Sequence, residues 1–151
     1  PMAAGLTVTA AKVDELRTFL TEHATAAACP VGRAPEMAID ATVATTAITG
    51  DLVGHLDRLG PFGVGNPAPL LALVDARVVE VRPVGSSHVS CVLTGAGGGR
   101  VRAIAFRARA TPLEGMLAPG RHLRLAGRVT VSQYQGQERV ELQIEDAAEP
   151  V

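Results

Sequence analysis

A glycine-rich stretch between two apolar segments is the first place where this sequence could do chemistry. It reads PFGVGNPAP over residues 61–69, and its G-x-G-x-x-A spacing fits a loose form of the dinucleotide-binding fingerprint. That fingerprint needs a strand before it and a helix after it. Here the preceding segment has leucines at helical spacing, while Pro67 and Pro69 remove backbone donors where a phosphate-binding helix would begin. The flanking sequence therefore argues against a nucleotide-binding loop and leaves two alternatives, a linker or a rigid joint.

The other residues that could carry chemistry are scattered along the chain. Cys29 and Cys91 stand far apart, with no CxxC pair and no histidine at ligand spacing, which is typical of two reduced cytosolic thiols. A second glycine run, residues 95–99, lacks a strand-to-helix context and is predicted to close a hairpin. The aspartates share no motif with a histidine and are expected at caps, turns and solvated faces (Asp40, Asp51, Asp57, Asp75). The sequence therefore predicts no catalytic residue, no metal site and no cofactor in this chain.

Arginine is distributed unevenly, and this asymmetry is hidden by the net charge of −1. Residues 1–69 hold four basic and seven acidic side chains, a balance of −3. Between residues 77 and 139, ten arginines meet only three glutamates, a balance of +7. Such a patch is typical of a phosphate-binding surface, and a solvated arginine-rich surface is the equal alternative on charge alone.

The composition predicts a small protein with an aliphatic core. Of the 151 residues, 47% are hydrophobic but only 3% are aromatic. The uncharged run 59–74 is broken by prolines and is not expected to span a membrane, and no signal peptide begins the sequence. These features favour a soluble protein in the cytoplasm.

The first 69 residues predict helices and little sheet. Residues 9–23 place Val13, Leu16, Phe19 and Leu20 on one stripe, with Thr9 as a cap. A second helix is predicted over residues 49–59, where Gly60 and Pro61 would end it. The segment between them is small and proline-punctuated over residues 24–35 and alternates weakly over residues 36–43, which indicates a short strand.

The second half changes to the two-residue period of β-strands. Five strands are predicted, with a non-strand insert at 110–120 between the third and the fourth (72–84, 88–94, 100–107, 121–133, 138–146). That order predicts a mainly β protein: a five-stranded OB-fold barrel preceded by an α-helical and irregular N-terminal segment. Gly127 inside the fourth strand suits the sharp coiling of a small barrel.

An OB barrel has a predictable binding face, formed by its second and third strands and flanked by two loops, one joining the first strand to the second and the other joining the fourth to the fifth. The residues predicted for this face are polar, basic or aromatic (His88, Ser90, Arg100, Arg102, Tyr134, Gln135). The arginines could pair with phosphates and Tyr134 could stack on a base. Phe106 is the other aromatic residue of the barrel, and its place could also be in the core. So few aromatic residues predict modest, salt-sensitive binding that is dominated by the nucleic-acid backbone.

Several short sequence motifs together resemble those of one protein family. The segment LDRLGPFGVGNPAPLLAL, residues 56–73, is similar to the stretch that leads into the OB domain of RecJ-type single-strand-specific exonucleases. The GxxH at 85–88, the AIAF at 103–106 and the LQIED at 142–146 look like the same family, although Ser90 stands where the family often has lysine. The opening PMAAGLTV resembles the stretch that follows the Gly-Gly-His motif of its DHH-associated domain.

The resemblance implies the C-terminal part of an enzyme that degrades single-stranded DNA from its 5′ end in repair and recombination. It implies Mn²⁺ or Mg²⁺ in the intact enzyme, whose DHH motifs lie outside these residues, so that this chain is expected to carry no activity by itself. Its implied partners are single-stranded DNA, a single-stranded-DNA-binding protein and the N-terminal nuclease core. The glycine-rich stretch then becomes a structural joint between helix and barrel (Pro61, Phe62, Gly63, Gly65, Asn66, Pro67).

The implied domain organisation has three parts. Residues 1–35 would be the tail of a DHH-associated domain, residues 36–69 a connecting strand, helix and joint, and residues 70–151 the OB domain. The alternative function is a non-catalytic bracing or protein-interaction barrel that does not contact DNA. Clustering of arginines on the face of His88 and Arg102 would favour DNA.

Overall fold

The computed structural model of the protein describes residues 5–27, 36–134 and 136–150. The chain divides into two compact units, Pro1–Met37 and Ala38–Val151. The described part of the first unit is helical, and the second is built from strands with two short α-helices.

The helix of the first unit is α1 (Val13–Ala27), which follows a 3₁₀ turn over Ala10–Lys12. The sequence predicts this helix four residues earlier, with Thr9 as its cap, but Thr9 makes no side-chain capping bond in the structure. Carboxylates occupy the first turn of α1, where the partial positive charge of a helix N-terminus favours them. The predicted apolar stripe is present on α1 and is mostly exposed in the described residues (Val13, Leu16, Phe19, Leu20).

The second unit contains six strands and two α-helices. In chain order they are β1 (Ala41–Thr42), α2 (Gly50–Asp57), β2 (Leu71–Val84), β3 (His88–Thr94), β4 (Arg100–Ala105), α3 (Pro112–Met116), β5 (His122–Tyr134) and β6 (Gln137–Ala148). Strands β2 to β6 are the five predicted strands, and α3 lies between the third and fourth of them as predicted. No helix within the described ranges has both the length and the apolarity that a membrane crossing requires.

The five long strands close into a barrel. They pair in the order β2-β3-β4-β6-β5, and β5 pairs again with β2. The β4–β6 pairing is parallel and the other barrel pairings are antiparallel, while β1 adds a short parallel strand to β2. This is the OB-fold connectivity, so the predicted fold class is confirmed.

Gly127 marks the point where β5 and β6 change register. The ladder shifts between Ala126 and Gly127. A Cβ atom added at Gly127 would lie 2.4 Å from the carbonyl oxygen of Gln143, so the strands approach too closely there for any side chain. The glycine in the fourth barrel strand therefore allows a local close approach.

The barrel core is aliphatic, as the composition predicts. Along β3 the buried side chains alternate, and Val89, Cys91 and Leu93 are at most 2% exposed. Leu123 and Leu125 of β5 meet them in the same cluster. No aromatic side chain belongs to the core among the described residues. Each large aliphatic side chain buried in this way contributes about 1.5–3 kcal/mol to folding.

The glycine run at 95–99 is more than a hairpin tip. It packs against a 3₁₀ turn, Thr45–Ala47, which the sequence does not predict. A Cβ atom added at Gly99 would lie 2.8 Å from the backbone nitrogen of Thr46, and one added at Gly95 would lie 2.7 Å from Oγ1 of Thr45. The glycines thus let the hairpin lie against the turn that precedes α2.

Candidate nucleic-acid interface

Strands β3 and β4 present one side to the core and the other to solvent. Their inward residues are at most 3% exposed (Val89, Cys91, Leu93, Val101, Ala103, Ala105). The alternate residues, together with Phe106 immediately after β4, form a surface that we call the outer face (His88, Ser90, Val92, Thr94, Arg100, Arg102, Ile104, Phe106). Because side chains alternate along a strand, the buried set fixes which residues belong to the outer face.

The strand register sets the neighbours across the outer face. Ser90 lies opposite Ile104, Val92 opposite Arg102, and Thr94 opposite Arg100. On its other side, Thr94 lies opposite Arg77 of β2. Opposed residues on neighbouring strands have Cβ atoms about 4.5–5.5 Å apart, so Arg77 and Arg100 flank Thr94 at one end of the face.

Two loops bound the outer face at opposite ends. Strand β6 runs parallel to β4 with Glu141 beside Arg102, so the β5–β6 hairpin lies beyond the Arg100 end. The turn between β2 and β3 lies at the other end, next to His88. Those are the two loops that the sequence predicts to flank the face.

Arg100 and Arg102 lie exposed on the outer face, as the alternation predicts. Within the described ranges neither has an ion-pair partner, although Glu141 is the ladder neighbour of Arg102. An exposed guanidinium without a carboxylate partner keeps all of its donors available to an incoming anion. The two arginines are therefore placed to receive phosphate oxygens.

Nine of the ten arginines between residues 77 and 139 fall into two groups, according to whether they have a carboxylate partner. Four are tied to glutamates: Arg82 to Glu80, Arg109 to Glu114, Arg121 to Glu149, and Arg128 to Glu145. Five have no carboxylate partner among the residues that the structure describes (Arg77, Arg100, Arg102, Arg107, Arg124). Three of those five lie on β2 and β4, the two strands that flank β3, at positions paired with residues of the outer face (Arg77, Arg100, Arg102). The charges available to a ligand are thus enriched on the predicted side of the barrel.

His88 is half-buried and makes internal contacts. Its Nδ1 accepts a hydrogen bond from the backbone N–H of Arg107 at 3.0 Å. Its ring also meets the ring of Phe106 in an edge-on arrangement, with centroids 5.1 Å apart and planes at 77°. With Nδ1 acting as an acceptor, the neutral ring carries its proton on Nε2. His88 is therefore tied to the segment that follows β4.

Phe106 belongs to the outer face, although its sequence position alone leaves open whether it lies in the core. It is 49% exposed. The signal was present in the sequence, because Val101, Ala103 and Ala105 all point inward and the next alternate position must point outward. An exposed phenylalanine on a polar strand face can stack on a flat ligand.

Ser90 and Arg102 share a shallow hollow in the outer face. It measures about 70 Å³ and is also lined by Glu80, Arg82 and Val92. Arg82 donates to Glu80 at 2.6 Å through Nε, which holds both side chains along the edge of this hollow. The structure thus brings together the predicted residues Ser90 and Arg102.

Two predicted residues of the hairpin are described only in part. The backbone of Tyr134 pairs with Gln137 at the end of β5, but its side chain lies outside the described part of the structure, as does all of Gln135. Their contact with nucleic acid stays a prediction.

The joint is organised around Asn66. Its Nδ2 donates to the carbonyl oxygens of Leu59 at 2.9 Å and Pro61 at 3.1 Å, so one amide satisfies two backbone acceptors behind α2. Gly63 and Asn66 also exchange backbone hydrogen bonds of 2.8 and 3.1 Å, which closes a turn over Val64 and Gly65. Neither Gly63 nor Gly65 has a positive φ or a close neighbour, so the turn does not demand glycine at these positions.

The joint is also fastened to the barrel. Phe62 is 38% exposed and lines a groove together with Leu56 of α2 and Val131 of β5. Beyond the exposed Pro67, Arg128 donates from Nε to the carbonyl oxygen of Ala68 at 3.0 Å. These contacts agree with a structural role for the joint.

The described cysteine and the residue types that can bind a metal ion bear on the chemistry that the resemblance implies. Burial raises the pKa of the Cys91 thiol to about 12, which keeps it protonated and unreactive. Within the described ranges, no three His, Cys, Asp or Glu side chains lie close enough together to hold a metal ion. The donor set of these residues therefore does not fit the Mn²⁺ or Mg²⁺ that the resemblance implies.

Comparison with known proteins identifies a matching domain family and relatives of this chain. The model of the RecJ OB domain family matches residues 39–146. The single-stranded-DNA-specific exonuclease RecJ of Bacillus subtilis (strain 168) is 27% identical over 150 residues, which are 98% of this chain and 19% of that protein.

Solved structures agree in fold. RecJ of Thermus thermophilus in complex with Mn²⁺ superposes with a TM-score of 0.65 at 24% identity, over 97% of this chain and 20% of that one. The Mg²⁺ complex of the same protein gives a TM-score of 0.63 at 22% identity, over 96% of this chain and 21% of that one. The chain thus spans about a fifth of the length of these relatives.

Proposed function

The chain belongs to the RecJ OB domain family, and from that premise we propose that it is the single-stranded-DNA-binding and guiding part of a RecJ-like 5′→3′ exonuclease acting in DNA repair and recombination. The DNA lies across the outer face. The observation that carries this proposal is the pair Arg100 and Arg102, exposed without carboxylate partners among the described residues, between the two loops that flank an OB binding face.

The binding is electrostatic and largely independent of sequence. Arg100 and Arg102 reach phosphate oxygens, and Arg77 adds a third cation beside Thr94. Ser90 supplies a small hydroxyl in the hollow next to Arg102. Phosphate contacts fix the position of a strand without reading its bases. A barrel of this kind guides the strand and leaves the chemistry to another part of the enzyme.

Metal-dependent chemistry and the other partners belong to the intact enzyme on this proposal. The described His, Cys, Asp and Glu side chains form no cluster that could hold a metal ion. On this proposal Mn²⁺ or Mg²⁺ would therefore be held by the nuclease core outside these 151 residues. That core and a single-stranded-DNA-binding protein are the further proposed partners, and the cytoplasm is the proposed location.

The proposed domain organisation keeps three parts. We assign residues 1–35 to the tail of a DHH-associated domain, residues 36–69 to the connecting segment with its joint, and residues 70–151 to the OB domain. The family match, which starts at residue 39, and the division of the chain at Met37 support a boundary near this point.

A bracing or protein-interaction barrel is the second candidate, and one observation favours it. Apolar side chains are exposed around the joint, where Leu59 is 57% exposed, Phe62 38% and Val64 fully so. Exposed apolar clusters of this kind often mark contacts with other protein surfaces. A bracing barrel would use this side and leave the outer face without a ligand.

A pair of arginine variants separates the two candidates. Arg102→Ala removes an outer-face cation, and Arg124→Ala removes a matched cation from β5, which pairs with neither β3 nor β4. Both arginines are exposed and lack a carboxylate partner among the described residues. The measurement is a titration of a labelled single-stranded oligonucleotide at several salt concentrations.

If DNA lies on the outer face, Arg102→Ala weakens binding and makes the log–log salt slope shallower by about 0.7, the share of one phosphate contact on a single strand. Arg124→Ala leaves affinity and slope unchanged. Equal effects of the two substitutions would place the DNA elsewhere. Wild-type protein that does not bind at low salt would favour the bracing barrel.

A further inference from the structure

Phe106 is a large aromatic side chain that is left exposed at one end of the outer face. Its side chain is 49% exposed, whereas Val101, Ala103 and Ala105 of β4 face the core. Val84 of β2 lies opposite His88 in the same end row and is itself 40% exposed. The end row therefore offers an apolar, partly aromatic surface next to the β2–β3 turn.

The ring of Phe106 is held by His88. The two rings meet edge-on at 5.1 Å, and the imidazole is fixed on its other side because Nδ1 accepts the Arg107 N–H at 3.0 Å. Ser87 continues the attachment, since its carbonyl oxygen accepts the N–H of Arg109 at 3.1 Å. A ring that is held in this way loses little conformational freedom when a ligand stacks on it.

The backbone just beyond Phe106 is strained. Arg107 and Ala110 have φ angles of 55° and 60°, and they are the only non-glycine residues with positive φ in the described ranges. Such conformations are unfavourable for residues with a side chain, and they cluster at functional sites, including sites that bind ligands. Here the hydrogen bonds from Arg107 to His88 and from Ala110 to Glu114 hold the strained segment in place.

The charges beside this ring suit a nucleic-acid strand. Arg107 is the next residue after Phe106 and has no carboxylate partner among the described residues. Arg102 lies four residues back along the same strand, about 13 Å away at the rise of a β-strand. A flat apolar surface with cations on both sides fits a base that stacks while its flanking phosphates pair with arginine.

We propose that Phe106 is the base-stacking platform of the interface and that His88 is a positioning residue, which holds the ring and the following turn. This inference rests on the proposed function, because it adds a contact with a DNA base to the phosphate contacts proposed for the outer face. His88 acts through Phe106 and the Arg107 backbone and makes no base contact of its own.

Tryptophan substitution tests the platform directly, because the chain contains no tryptophan. Phe106→Trp keeps an aromatic surface and introduces a single fluorophore at the site. Val74→Trp is the matched control, since Val74 is 51% exposed on β2 but belongs to neither β3 nor β4. The experiment titrates both variants of the full chain with an oligothymidine and records tryptophan fluorescence together with the anisotropy of the labelled DNA.

We expect Phe106→Trp to bind and to be quenched in parallel with binding, while Val74→Trp binds without quenching. Phe106→Leu keeps an apolar side chain but loses the stacking surface, and it should bind about fivefold to a hundredfold more weakly with the same salt slope. His88→Ala should weaken binding, whereas His88→Asn retains an acceptor for the Arg107 N–H and should lose less. Far-UV circular dichroism of each variant monitors folding.

The outcomes separate this inference from the proposed function. The stacking role of Phe106 is wrong if the wild type binds and Phe106→Leu binds equally well, or if Phe106→Trp saturates without quenching. In either case the proposed electrostatic binding of DNA by the outer face is not contradicted. If His88→Ala binds like the wild type, the positioning role of His88 is wrong. If neither the wild type nor Phe106→Trp binds at low salt, the proposed function fails as well.

Discussion

At the scale of single residues, the outer face combines cations that cost little to keep exposed. Arg100 and Arg102 remain hydrated, so they require no buried partner and contribute little to folding. On the proposed function, the same hydration limits the free energy gained from each phosphate contact, and salt screens that contact further. On this proposal, weak and salt-sensitive binding suits a guiding surface, because the DNA strand must move along it.

Cys91 gives a prediction at this scale. Its side chain is 2% exposed and its pKa is raised to about 12 by burial. In a Cys29→Ser background, the remaining thiol should react with an aromatic disulfide reagent at about pH 8 only as fast as the protein unfolds. Added denaturant should release one reactive thiol per chain.

The raised pKa of the Cys91 thiol also makes the free energy of unfolding depend on pH. A thiol with a pKa of 9.0 when unfolded and about 12 when folded leaves stability unchanged below pH 9. Above pH 9 the unfolded chain loses the thiol proton while the folded chain keeps it, so the free energy of unfolding falls as pH rises toward about 12. Wild-type protein should therefore lose more stability than Cys91→Ala over that range. Rapid labelling of the folded protein at neutral pH would contradict the buried position.

At the scale of elements, the strands could be predicted and the contacts between distant segments could not. Alternation of Val89, Cys91 and Leu93 identifies β3 and its two faces from the sequence alone. By contrast, the bond between His88 and Arg107 joins residues 19 apart, and no local pattern announces it. The packing of Gly99 against Thr46 is equally non-local.

Two details are harder to obtain from the sequence: the start of α1, which is predicted too early, and the position of Phe106, which the sequence leaves undecided. The start of α1 depends on which of several polar residues caps it, and Thr9 is not used. Phe106 could be placed by alternation, but the usual burial of aromatic residues argues for the core. Its exposure follows from the strand, which fixes the side that each residue faces.

Gly127 gives a prediction at the element scale. Gly127→Ala would drive a Cβ atom to 2.4 Å from the Gln143 carbonyl oxygen, so β5 and β6 would have to move apart. We expect the free energy of unfolding to fall by about 1–3 kcal/mol, the usual cost of overpacking a close contact. Denaturant unfolding followed by far-UV circular dichroism measures it.

Gly54→Ala is the matched control for this substitution. Gly54 lies inside α2 with nothing within 4 Å of an added Cβ atom. Alanine should stabilise a helix interior there by up to about 1 kcal/mol. If both substitutions stabilised the protein, the close approach of β5 and β6 would be wrong.

At the scale of the whole molecule, the proposed function separates binding from chemistry. The barrel presents arginines and an aromatic ring on one side, and its described residues hold no metal-ligand cluster. The relatives that it matches are about five times longer. On the proposed function, the remainder of such an enzyme supplies metal-dependent hydrolysis, while this part holds the strand.

The most direct test of the central claim is the salt dependence of single-stranded DNA binding by the wild-type chain. Three or four phosphate contacts on the outer face predict measurable binding at low salt and a log–log slope of roughly −2 to −3, at about −0.7 per contact on a single strand. The measurement is an anisotropy titration of a labelled oligonucleotide across a series of salt concentrations. No binding at low salt, or binding with a slope near zero, would contradict a charged DNA-guiding face.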